Sequence, residues 1–213
     1  MNNIEIRPIS GRQILVFLTA AALLVAFAAP FVTRGQNLFA VLAGFFIIGL
    51  LSVTAAVVPM GWAALPALGL RPASWRPIVF GALGTLALSV GVSQLGIEPE
   101  GMKQAMEISR EPGLFLISLL VMGLLAPVAE ELMFRGLLFG WLAGRWGGGV
   151  AAGISSLVFA AAHLEPAHIL LVLPLGLLFG WLRWRTGSLL PSMVAHIVNN
   201  SFAVVASLLI ATD

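Results

Sequence analysis

The chain is dominated by a succession of unbroken apolar runs, each close to the length an α-helix needs to cross a bilayer. About 30 Å of hydrocarbon takes about 20 apolar residues at 1.5 Å rise each. Such runs occupy 14–32, 38–58, 78–95, 114–141, 148–162, 169–184 and 189–210. They are continuous rather than alternating, which excludes a membrane β-barrel. Only 9% of the 213 residues are charged, against 60% apolar. A water-facing domain needs about a quarter charged residues, so no soluble fold fits. The expected fold is all-α: a polytopic integral membrane protein of about seven or eight transmembrane helices. With neither repeat nor low-complexity linker, 1–213 reads as one membrane domain, its N-terminal spans in 1–112 and its more polar helices in 113–205. The expected location is a cytoplasmic membrane of bacterial type.

The connections carry the remaining signals. Ala26-Phe27-Ala28 is similar to a signal-peptidase site, yet the run is long for a signal segment and more runs follow, so it reads as a retained first span. Residues 59–77 hold Pro59, Pro66, Pro72 and Pro77 with Trp62, Trp75, Arg71 and Arg76. That mixture suits a headgroup-level segment, with room for a re-entrant or eighth helix. Seven alternating spans put Arg7, Arg12, Arg71, Arg76, Arg145, Arg183 and Arg185 on one side, and the acidic loop 96–112 on the other. The basic side is then cytoplasmic. A net charge of +2 on so few ionisable groups is a loop-charge effect rather than a nucleic-acid footprint. The absence of cysteine rules out disulfides and thiolate chemistry.

Chemistry is sought where polar residues interrupt apolar runs, because a charge at mid-bilayer costs about 2.5–3.5 kcal/mol on insertion scales. The interruptions are Glu130, Glu131 and Arg135, then His163, then His196, Asn199 and Asn200; Glu165 and His168 read as interfacial. Glu131 and Arg135 are four apart on one helical face and neutralise each other as a structural pair. Glu130 is rotated by about 100° and must find its partner on another helix. Pro127 removes a backbone donor just before it, freeing a carbonyl and opening a kink. Gly136, Gly140 and Gly144 form a small-residue stripe for close helix approach. Glu130 and His163 each lie roughly 22 Å along a helix from the turn at 145–148, so an antiparallel pair brings them to one depth. His196 and Asn200 share one face of the last helix. Asn199 reads as a helix–helix contact and Phe159 as packing.

These residues fall into three ordered motifs: Glu130-Glu131-x-x-x-Arg135, Phe159-x-x-x-His163 and His196-x-x-x-Asn200. The set resembles the CPBP family of intramembrane proteases, which includes type II CAAX prenyl proteases and bacterial relatives linked to bacteriocin processing and self-immunity. The resemblance covers about residues 113 to 205. It implies an endopeptidase in which Glu130 activates a water that attacks a peptide bond. His163 helps to hold that water or the carboxylate, and His196 and Asn200 stabilise the oxyanion. Arg135 with Glu131 orients the site. The implied substrate is a membrane-associated protein or peptide within the lipid bilayer; no cofactor or metal is implied. Physical chemistry agrees in kind, since hydrolysis by water needs a positioned base and donors aimed at the developing charge.

Three other readings of the same residues remain. A Glu/His/His set can bind zinc with one open position, although no helix here carries a His-Glu-x-x-His spacing. Buried carboxylates and histidines also line ion or proton pathways in transporters, although no pair of broken helices marks an inverted repeat. A non-catalytic membrane immunity or scaffold protein is the third, because a fold does not guarantee its activity.

Overall fold

The computed structural model describes residues 8–32, 38–111 and 113–209; Arg7, from the expected basic side, and Ile210, from the last apolar run, lie outside them. Ser10 opens α1 (Gly11–Val32). Its carbonyl accepts the Gln13 amide, and its own amide donates to the Gln13 side chain, a reciprocal cap that starts the helix where the apolar run begins. None of residues 11–30 is fully buried; α1 packs on α2 (Leu38–Val57) and, at its start, on the chain around Leu137 and Trp141. Pro59 ends α2. The chain then makes a 3₁₀ turn, Val58–Ala63, and a short helix α3 (Ala64–Leu68). Gly69 closes α3 in the left-handed region, with Gly69 N–H on the Pro66 carbonyl and Leu70 N–H on that of Leu65. Five residues rise only about 7.5 Å, so the eighth helix foreseen in 59–77 exists but does not cross. Trp62 and Trp75 flank it, both exposed, as expected at headgroup level.

α4 (Trp75–Ser93) returns to the far end, where the amphipathic α5 (Glu100–Ser109) lies across the bundle. Next comes the longest helical stretch, Phe115–Ala161, built from α6 (Phe115–Ser118), a π segment Leu119–Leu125, α7 (Ala126–Glu130), a second π segment Glu131–Leu138 and α8 (Phe139–Ala161). Gly147 breaks it with φ 80°, ψ 164°, values open to glycine alone. The stretch is therefore a hairpin of two rods, 115–146 and 148–161. α9 (Pro166–Thr186) and α10 (Leu190–Leu209) complete the chain.

Five stretches are apolar and long enough to cross a membrane. Counting the broken one as two and adding the 20-residue α10 gives seven rods among the described residues, in keeping with the seven or eight expected. Large apolar side chains such as Leu23, Phe27, Phe80 and Leu120 stay exposed, as a lipid-facing surface requires.

The two ends differ in charge as expected. At one, the Ser188 hydroxyl donates to the Arg71 carbonyl, Leu189 N–H donates to Gly69, and Arg145 lies beside Gly11. At the other, the Glu165 carboxylate caps α5 by accepting the Glu100 and Gly101 amides. The glycine stripe has a different partner from the one expected. Gly136 and Gly140 lie against Leu68 and Ile9 respectively, so the stripe admits the headgroup-level segments rather than another crossing helix.

Candidate active site

The first motif lies where the fourth rod departs from α-helical geometry. Pro127 has no N–H, so the carbonyls of Met122 and Gly123, which it would serve in π or α register, lose a donor. The turn above it widens into the π segment Leu119–Leu125, where Ala126 N–H reaches back to Val121. α10 fills the gap: the Asn200 side-chain amide donates to Met122 O at 3.2 Å, and the Ser201 hydroxyl to Gly123 O at 3.3 Å. The carbonyl freed by Pro127 thus docks the third motif onto the first.

One turn further on, Glu131 and Arg135 pair as their spacing predicts, Nη1 to Oε1 at 3.2 Å, both wholly buried. Arg135 also donates to the Gly176 carbonyl at 2.8 Å, and its guanidinium lies over the rings of Phe159 and Phe179 at 4.2 and 5.5 Å. Such a planar cation, stacked and hydrogen-bonded, can sit in a dry interior where an ammonium would not.

Glu130 finds its partner on another helix. His196 Nε2 lies 3.4 Å from Glu130 Oε2, while its Nδ1 lies 3.2 Å from Glu131 Oε1. One imidazole from α10 therefore bridges two consecutive carboxylates of the fourth rod. Phe179 stacks on that ring at 4.7 Å and Phe159 meets it edge-on at 5.7 Å, leaving His196 buried. Glu130 keeps about 15% of its side chain accessible; Glu131 keeps none. Adjacent residues are thus divided, one carboxylate sealed in and one open.

The hairpin about Gly147 sets Phe134 and Arg135 against Phe159, as an antiparallel pair should. His163, one turn beyond Phe159, reaches the level of Glu130 and lies within electrostatic range of it. Its Nδ1 meets the Phe159 carbonyl at 3.0 Å; since a carbonyl only accepts, that nitrogen carries the proton and Nε2 is left free to accept. All seven motif residues come together, although Asn200 touches backbone and Asn199 rather than the carboxylates.

The structure adds residues that the spacing does not suggest. His168, expected at the interface, lies edge-on to His163 at 4.5 Å. Phe179 is a wall of the site, but one aromatic among many in apolar runs carries no signal. The buried Ser156 hydroxyl shares the Gly176 carbonyl with Arg135. Arg183, expected among the loop charges, is buried at that same end with Nε donating to the Arg135 carbonyl at 3.1 Å. Among the described residues, no three histidine, aspartate or glutamate side chains are disposed to hold a metal.

Comparisons with known proteins agree in kind. The family model described as type II CAAX prenyl endopeptidase Rce1-like matches residues 112–202, the stretch that holds all three motifs. The Bacillus subtilis protein named "Putative membrane peptidase YdiL" is 30% identical over 114 residues, which cover 54% of this chain and 46% of that protein. The chain thus spans about half the length of that curated relative. No solved structure matches. With the apolar helices, these matches mark a protein integral to the membrane, whose motif-bearing helices are similar to those of CAAX-type membrane proteases.

Proposed function

We propose that this chain is an intramembrane endopeptidase in which Glu130 is the general base. The observation that carries the reading is the division of labour between adjacent carboxylates: Glu131 is wholly buried with its Oε1 held by Arg135 and His196, and Glu130 stays partly accessible beside the same imidazole. Water held between Glu130 and His163 Nε2 gives its proton to Glu130 as its oxygen attacks the scissile carbonyl carbon. The C–N bond then breaks, and the same proton passes from Glu130 to the departing amine. His196, gripped through Nδ1 by Glu131, directs Nε2 toward Glu130 Oε2 and the nascent oxyanion. The N–H of Asn200 that Met122 does not use is its second donor. No cofactor takes part. The substrate is a peptide segment of a membrane-associated protein, since the site is enclosed by membrane helices; prenylated C-terminal substrates are the variant that the family description names.

The test is quantitative proteomics of membranes carrying wild type or Glu130→Gln at matched abundance. Fragments made by wild type and missing with the variant are expected, while the variant's thermal unfolding stays near that of wild type. Fragments persisting with Glu130→Gln would sink the proposal, and activity abolished by chelator and restored by zinc would replace it with the metal reading.

A further inference from the structure

The basic end of the bundle holds a recess unrelated to the carboxylates. It measures about 320 Å³ and lies between the segment that precedes α1, the exit from α3, the first half of α8 and the end of α9; Ile9, Phe139 and Trp184 supply apolar walls. Arg71 and Arg183 supply its charge. Arg183 is only 7% exposed, its guanidinium pressed against Gly69 and lying over the Phe139 ring at 4.8 Å. Its Nε is spent on the Arg135 carbonyl, but its terminal N–H groups have no hydrogen-bond partner among the described residues. Arg71 donates through Nε and one terminal nitrogen to the Pro66 carbonyl, leaving the other terminal nitrogen. Among the described residues neither guanidinium pairs with a carboxylate and no acidic side chain lines the recess.

Two buried or half-buried cations with spare donors and no counter-charge call for an anion with several acceptor oxygens. The flanking tryptophans, Trp146 and Trp184, and the clustered arginines put the recess at headgroup depth, where such an anion is a lipid phosphate. The apolar walls suit the start of a glycerolipid better than a hydrated free ion. We propose that this recess binds the phosphate of an anionic phospholipid, independently of any protease activity.

Native mass spectrometry of the full chain in detergent, titrated with phosphatidylglycerol or phosphatidylcholine, tests this. Wild type should retain phosphatidylglycerol at least about fivefold more tightly, and Arg71→Gln should weaken it about fivefold, the effect of one basic residue near a lipid surface. Equal retention of the two lipids overturns the proposal, as does an unchanged Arg71→Gln. Displacement of bound lipid by millimolar inorganic phosphate overturns the lipid as source. Should Arg71→Gln not fold, the comparison of the two lipids on wild type decides alone.

Discussion

Arg135 and Arg183 lie one behind the other, joined where the second donates to the carbonyl of the first, yet the protein treats them differently. Arg135 has its counter-charge built in: Glu131 one turn earlier, with a backbone carbonyl and two aromatic rings beside it. Among the described residues Arg183 has a single backbone acceptor, and it opens onto a recess it shares with another cation. Depth explains the contrast. Inside the hydrocarbon no solvent or lipid headgroup can neutralise a charge, so the sequence must supply the partner at helical spacing. At the bilayer surface phosphates are abundant, and a cation can be left unpaired by the protein. The same contrast separates the adjacent glutamates: Glu131 holds the structure, and Glu130 is the carboxylate left over.

Breaking each half in turn should give unlike results. Glu130→Gln, the largest effect, should lower the rate of fragment release by about two to four orders of magnitude, as expected for loss of a general base, with little change in thermal unfolding. Arg135→Ala should cost about 3–5 kcal/mol of stability, because it leaves Glu131 as an uncompensated buried charge. Arg135→Lys should recover little of that, since an ammonium cannot stack between two phenyl rings while reaching both Glu131 and Gly176. Arg183→Ala should cost only about 2 kcal/mol, the loss of one charged hydrogen bond and its packing. Thermal unfolding in one detergent ranks these variants. Equal losses at the two arginines would show that depth does not govern their pairing.

The contrast also shows how far a sequence of this kind can be read. The pair Glu131–Arg135 was legible because helical spacing alone brings the two side chains together. The shared level of Glu130 and His163 followed from counting residues either side of the turn. What escaped depends on rotation about each helix axis, which an apolar run does not encode. His196 contacts both carboxylates rather than one, and Phe179 rather than a neighbouring aromatic forms the wall. Arg183 read as a loop charge because span alternation puts it on the basic side, whereas packing against Gly69 and Phe139 buries it. The short helix α3 was recognisable from its prolines as irregular, but its place against the glycine stripe was not.

The smallest predicted effect on stability probes another link that sequence chemistry anticipated in outline. If Asn200 serves chiefly to satisfy the carbonyl that Pro127 leaves without a donor, Asn200→Ala should cost about 1 kcal/mol. Pro127→Ala restores an N–H that can reach Met122 O in the π register, so the same substitution should then cost close to nothing. A double-mutant cycle read by thermal unfolding should give a coupling of about 1 kcal/mol between residues that need not touch. Additive losses would mean that the side-chain amide is not what holds Met122 O. The other Asn200 N–H is the second oxyanion donor, so Asn200→Ala should also slow fragment release in either background, and unchanged release would leave Asn200 a docking residue alone.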